Sequence, residues 1–251
     1  MGRDDPPVKA TATSARVIDA LLELDGATVT EVADHLDLSK SSTHNHLETL
    51  QRLGYINQNG WQYHASLKFL EIGTTVRRRY ELYQSGAEEA ERLANAGFTA
   101  NLVILEDDAA VCIETAIAED KETVVDTGDR LPLHCTAAGK ALLAALSREE
   151  AESLLREIQL TEWTDNTLTD QAALFEDLAE AQNRGLASNR EEWHEGVRGI
   201  AAAITDADDA LLGAISVTGS TEQLSGKTFQ QDVSGLVLSS ANRIRKRIRQ
   251  E

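Results

Sequence analysis

The sequence predicts an α+β protein in two parts: an N-terminal helical unit closed by a β-hairpin, then a larger region that mixes strands and helices. Three observations carry this. Apolar residues recur at three- and four-residue spacing through the first fifty positions. Asn59-Gly60 lies between two short β-prone runs, the strongest local signal for a two-residue hairpin. Beyond Gly86, short apolar runs alternate with helical patterns.

Length and composition bound the reading. The chain has 251 residues, 41 % apolar and 26 % charged, which is a globular composition with room for two domains. It has no run of eighteen apolar residues, and its first twenty lack the apolar stretch of a signal peptide, so a cytoplasmic protein with no membrane segment is expected. Two cysteines, Cys112 and Cys135, are too few for a disulfide scaffold or a four-thiolate zinc site. The net charge is −18, from 24 cations and 42 carboxylates, with Arg outnumbering Lys and aromatics at 4 %. That balance points to a halophilic protein, since in molar salt the Debye length falls to about 3 Å and self-repulsion is screened.

Element by element, residues 1–12 read as a disordered tail and residues 13–65 as one domain. Thr13 or Ser14 caps a first helix carrying Val17, Ile18, Leu21, Leu22 and Leu24, and Asp25-Gly26 ends it. Thr30 opens a second helix to Leu36 with Val32 and Ala33 on its apolar side. After Asp37-Leu38, Ser39 caps a third helix with Thr43, Leu47 and Leu50 inward, His46 beside them, and Lys40, Ser41, His44, Asn45 and Glu48 outward. Three helices, a four-residue connection and an Asn-Gly hairpin make a winged helix-turn-helix, an architecture that reads double-stranded DNA. In that reading Ser39, Ser41 and Ser42, with Lys40 among them, meet phosphates at the helix N-terminus, and His44 and Asn45 reach base edges. Charge opposes it. Residues 1–65 hold five cations against nine carboxylates, a net of −4.

From 66 to 83 the apolar positions Leu67, Leu70, Val76 and Leu82 predict a linker helix that packs on a partner chain. The cluster Arg77-Arg78-Arg79 suits either DNA phosphates or, the favoured reading, an acid-paired helix face. Residues 84–251 form the second domain, which begins beyond Gly86 with a helix to about Ala96. FTANLVIL, AAVCIETAI and TVVDTG read as strands, the first two joined at Glu106-Asp107-Asp108. The His134–Lys140 segment opens a helix of small residues whose free N–H groups suit an anionic ligand, without the glycine spacing of a phosphate loop. Helices follow over Arg148–Glu157 and Asp170–Arg184. Then LASNREEWHEGVRGIAAAIT and ALLGAISVTG return as strands around the turn Asp206–Asp209, and a helix from Phe229 to Arg249 ends in RIRKRIRQE. That basic end is expected to cover the acidic domain of its own chain or a partner. Ser216 and Thr218, two apart on a strand, share one face.

Enzymatic readings are weak. His134 and Cys135 are adjacent, an arrangement that rarely pairs a base with a nucleophile. His44 and His46 point apart on a helix, and His194-Glu195 lacks the second histidine of a zinc protease. No catalytic residue, metal or cofactor is expected.

The series SARVIDALLEL, TVTEVADHLDLSKSSTHNHLETLQRLGYI, LPLHCTAAGKALLAAL and EEWHEGVRGIAAAITDADDALLGAISVTGS resembles the IclR family of transcriptional regulators in order, spacing and content. The resemblance covers nearly all the chain from Thr13. It implies an N-terminal winged helix-turn-helix, a linker helix and a C-terminal GAF-like effector-binding domain, in a homodimer or dimer of dimers. It implies promoter DNA and a small-molecule effector as partners and control of a catabolic operon, with a carboxylate, sugar acid or aromatic acid as effector. Carried over by position, effector contacts fall on the backbone of Ala137 and Ala138 and the side chains of Asn189, Ser216 and Thr218, with Leu131 and Leu133 as an apolar wall. Two positions depart from the family pattern. Asn45 stands where a basic residue is common. Gly199 stands where members that bind small keto acids have cysteine, which implies a roomier pocket or a different effector. The alternative reading is a metabolite sensor, or a redox or metal sensor using His134, Cys135 and Cys112, that acts through a protein partner without DNA.

Overall fold

The structure is a computed structural model and describes residues 6–224 and 227–250. It divides into two compact units between Val76 and Arg77.

In the first unit, α1 (Lys9–Glu23) is capped at Val8, five residues before Thr13, the earlier of the two caps that the hydroxyl pattern predicts. Residues 9–12 are therefore helical, while residues 1–5 of the expected tail lie outside the described residues. The start follows Pro6-Pro7, which disfavour helix just before them. Val8 supplies no side-chain cap. Thr13 and Ser14 sit inside the helix, where Thr13 donates back to the Lys9 carbonyl and Ser14 bonds His46 at 2.9 Å. Next, α2 (Val29–Leu36) is capped by Thr28, not Thr30: the Thr28 hydroxyl accepts the Glu31 N–H while the Glu31 carboxylate accepts the Thr28 N–H. Asp37 then turns the chain in the left-handed region, φ +53°. Ser39 caps α3 (Lys40–Arg52) by accepting the Ser42 N–H at 3.2 Å.

The hairpin pairs β1 (Ile56–Asn59) with β2 (Gln62–Ala65), Asn59 opposite Gln62. Its turn is thus Gly60-Trp61, one residue later than the Asn-Gly signal. Gly60, at φ +61°, supplies the positive φ that the first turn position of a tight hairpin needs. Val17, Leu21, Val32, Leu47, Leu50, Ile56 and Tyr63 form this unit's core.

The linker helix expected over 66–83 is interrupted: α4 (Lys68–Arg77) ends early, Tyr80 is extended, and positions 81–83 join the helix expected to about Ala96 as α5 (Glu81–Asn95). The break falls where the apolar stripe changes role. Leu67, Leu70, Ile72 and Val76 are exposed, whereas Leu82, Ser85, Glu89 and Leu93 are the buried face of α5.

The second unit continues with β3 (Thr99–Glu106), β4 (Ala109–Ala116), β5 (Arg130–Leu131), α6 (Ala137–Ala145), α7 (Arg148–Glu157), α8 (Gln171–Arg184), β6 (Ala187–Arg190), β7 (Val197–Thr205), β8 (Leu211–Ser220) and α9 (Lys227–Ile248). The strands form one antiparallel sheet in the order β5-β4-β3-β8-β7-β6. Alternation along the strands fills two cores. Leu102, Ile104, Ala202, Ile204, Ile215 and Val217 face α5 and α9, while Val103, Ala201 and Ala214 face α6 and α8.

TVVDTG is not a strand. One backbone bond, Gly128 N–H to the Cys112 carbonyl, joins it to β4, and hydroxyls supply the rest: Thr115 Oγ1 donates to the Val125 carbonyl and Thr127 Oγ1 accepts the Thr115 N–H. EEWHEG is likewise the loop between β6 and β7. The basic end of α9 stays on its own chain: Arg243 pairs with Glu89 at 2.7 Å, Arg247 with Glu88 at 2.9 Å, and Arg245 and Arg249 bind the carbonyls of Ala203 and Asp206. Arg77 pairs with Glu114 and stacks on Tyr83, while Arg78 and Arg79 are exposed. Among the described residues no helix is long and apolar enough to cross a membrane.

Gly139 fixes how closely α6 meets the segment before it. A Cβ there would lie 2.5 Å from both Cα and O of Leu133, and backbone cannot yield as a flexible side chain does. Gly139→Ala is therefore expected to lower the unfolding free energy by about 1–3 kcal/mol in urea titration. An unchanged midpoint would contradict that packing.

Candidate functional site

Register explains how distant residues meet. Gly199 on β7 is paired with Asn189 on one side and Thr218 on the other, making one row across three strands. The next row on the same face runs from Ala201 through Ser216 to Asn101. The N-terminal end of α6 lies over these rows and closes a cavity lined by Asn101, Val125, Leu131, Thr136, Ala137, Ala138, Asn189, Trp193, Gly199, Ser216 and Thr218.

Seven of the eight residues expected on the effector site share this lining: Leu131, Ala137, Ala138, Asn189, Gly199, Ser216 and Thr218. Leu133 does not. It is buried in the core against Gly139, so its apolar side chain serves packing. Asn101, Val125, Thr136 and Trp193 were missed. Asn101, a polar residue inside the apolar run of β3, carried a readable signal, because a buried amide needs partners. Gly199 does not enlarge the space. A Cβ there would stand 3.2 Å from the Ala137 Cβ, so the start of α6 packs close over the glycine. The cavity is ≈ 20 Å³, enough for one water.

Its polar groups are mostly donors. Thr136 is committed, accepting the Gly139 N–H and donating to the Pro132 carbonyl. Asn101 donates to Thr115 and accepts from Thr218. The Asn189 oxygen accepts the Glu192 N–H at 2.8 Å, which leaves its NH₂ for the cavity. Ala137 and Ala138, in the first turn of α6, have N–H groups without intrahelical partners. Ser216, 3 % exposed, adds a hydroxyl with no partner among the described residues. Among the described residues no charged side chain lines the space.

Charge lies just behind it. Lys140, 1 % exposed, binds both oxygens of Glu192 at 2.8 and 2.7 Å and Asp177 at 2.9 Å. Burial pushes the Glu192 carboxyl up, and Lys140 opposes that shift. Burial, then the Glu192 charge, drives the Cys135 thiol up to about 12, and burial also raises Cys112. Neither supplies a thiolate at neutral pH. Burial lowers His134, which bonds the Thr161 carbonyl. Among the described residues no group of three or more His, Cys, Asp or Glu gathers as a metal site.

On α3, Ser39, Lys40, Ser41, His44 and Asn45 are exposed and Ser42 is half-buried. His46 turns inward to Ser14. The net of −4 over residues 1–65 hid a pattern. From Leu38 to Leu70 the only carboxylate is Glu48, paired with Arg52, against the cations Lys40, Arg52 and Lys68. Along the third helix and the hairpin, carboxylates are nearly absent.

Two family models match the chain: the IclR helix-turn-helix domain over residues 13–60 and the bacterial transcriptional regulator IclR C-terminal domain over residues 75–246. A protein of Halobacterium salinarum described as "Probable HTH-type transcriptional regulator ArcR" is 31 % identical, covering 96 % of this chain and 94 % of its own. The regulator BhcR of Paracoccus denitrificans is 35 % identical over 88 % of this chain and 81 % of its own. The structure of an IclR homolog from Microbacterium hydrocarbonoxydans, complexed with 4-hydroxybenzoate, superposes with TM-score 0.83 at 19 % identity, covering 97 % of this chain and all of that one.

Proposed function

The chain belongs to the IclR family of DNA-binding transcriptional regulators, and from that premise we propose that a small carboxylate occupies the cavity under α6 and controls promoter binding by a homodimer or dimer of dimers. The observation that carries the effector class is the donor set. The helix N–H groups of Ala137 and Ala138, the Asn189 amide and the Ser216 hydroxyl converge without a competing carboxylate in the lining. A helix N-terminus with free N–H groups favours an anion. The carboxylate on the Microbacterium homolog fits the same chemistry.

The cavity admits one water as it stands, so a metabolite enters only if its walls move. Val125, on an irregular segment, and Trp193, on the β6–β7 loop, are walls outside regular elements, whereas Thr136, also outside them, is held by its bonds to Pro132 and Gly139. Ligand binding is thereby tied to a conformational equilibrium, which is what a regulator needs. The exposed apolar row Leu67, Leu70, Ile72 and Val76 supports a second copy packing on α4. Two copies place two recognition helices on half-sites one or two helical turns apart. The acidic surface and the Halobacterium relative support function in concentrated salt, and family habit supports a catabolic operon. The domain reading that goes with this is a DNA-binding unit, a linker centred on α4 and a GAF-like effector unit.

Ser216→Ala tests the cavity. Melting curves with a panel of small carboxylates, 4-hydroxybenzoate and pyruvate among them, identify a stabilising ligand. The substitution is expected to weaken it about fivefold, for a lost hydrogen bond of about 1 kcal/mol. An unchanged titration would move the ligand elsewhere.

A further inference from the structure

Trp61 stands at the tip of the β1–β2 hairpin with 86 % of its surface exposed, more than any other large apolar side chain among the described residues. The hairpin beneath it is firmly held. Ile56 and Tyr63 are buried in the core, and Tyr63 and Ala27 exchange backbone bonds at 2.8 and 3.0 Å. The tip is braced as well, because the Gln58 amide donates to the Gly60 carbonyl. Asn57, Gln58, Asn59 and Gln62 are exposed and uncharged. The indole thus sits on a rigid, neutral ribbon inside the stretch where carboxylates are nearly absent, continuous in sequence and in one compact unit with α3.

A wing that holds DNA usually needs cations, and this one has none: INQNGWQYHA contains no Lys or Arg. We propose that Trp61 is a DNA-contacting residue, an apolar wedge that enters the minor groove next to the major groove occupied by α3. Four-residue strands span about 13 Å, enough to reach the neighbouring groove. Apolar side chains inserted in that groove wedge against base steps, and aromatic rings gain from stacking on bases whatever the sequence. Such a contact releases no counterion, so salt does not weaken it as it weakens a lysine–phosphate contact. That property suits a chain carrying −18. The proposal rests on the DNA-reading role of α3 and adds to it the residue that anchors the wing.

The test uses the full-length protein and a duplex from the intergenic region beside its own gene, titrated across a KCl series. Trp61→Ala is expected to weaken binding about tenfold with the slope of log K against log[KCl] unchanged, and Trp61→Phe to keep most of the affinity. Trp61→Arg should recover affinity only at low salt, with a slope steeper by about 0.9. Melting temperatures should not move, since the side chain is exposed at a turn. Wild-type affinity of Trp61→Ala at every salt would overturn the wedge. So would a variant that changed only the oligomeric state, which would make Trp61 a contact between copies. Absence of DNA binding by the wild type would sink the role of α3 itself, and that failure is visible before any Trp61 variant is measured.

Discussion

Lys140→Met is expected to destabilise the C-terminal unit by about 3–5 kcal/mol, a fall in melting temperature of roughly 10 °C. The ammonium is 1 % exposed and holds both oxygens of Glu192, itself 5 % exposed. Removing it leaves a buried carboxylate bonded only to the Arg190 N–H, a group that burial already disfavours in its charged form. Asp177, with its side chain 34 % exposed, can turn to water and suffers less. The pair also bears on the cavity. Glu192 gives its N–H to Asn189 and its carbonyl to Thr167, so it holds the loop that carries Trp193. The double change Lys140→Met with Glu192→Leu should regain most of the stability, because an apolar pair of similar volume leaves no charge unpaired. Chemical denaturation of both variants checks this. A single variant as stable as wild type would mean that Lys140 is not the neutralising partner.

The second large effect is at the DNA face. His44→Ala with Asn45→Ala is expected to reduce affinity for the promoter site about 100-fold or more, since each lost base contact costs about 1–3 kcal/mol. Affinity for unrelated duplex should fall little, because the phosphate contacts proposed for Ser39, Lys40, Ser41 and Ser42 would remain. Both side chains are exposed, so folding and oligomeric state should be unaffected. Competition binding against nonspecific DNA separates the two terms. Unchanged promoter affinity would show that another surface reads the sequence.

The elements that the sequence announced clearly were those with strong local chemistry. Ser39 before a helical stripe, the Asp206–Asp209 turn and the Arg148–Glu157 helix carry their own caps and turns. Readings failed where tertiary partners override local preference. TVVDTG has strand propensity, yet Thr115 takes its carbonyl, and Thr13 looks like a cap, yet the prolines start the helix earlier. The cavity was legible chiefly through the family resemblance, which placed Ala137, Ala138, Asn189 and Gly199, whereas strand alternation alone put only Ser216 and Thr218 on one face. Trp193 and Val125 come from irregular loops, whose side-chain directions no periodicity encodes. Lys140 reads as an ordinary helix residue. Only its pairing with Glu192, 52 positions away, reveals that it is buried. Charge misled as a sum, for a net of −4 over residues 1–65 concealed an almost acid-free helix and wing.

Footprinting of the full-length protein on the intergenic DNA beside its own gene, in roughly molar KCl, tests the central claim most directly. The account predicts a protected site with two half-sites whose centres lie one or two helical turns apart. No protection at any salt, from protein shown to be folded, would contradict α3 as a reader of DNA.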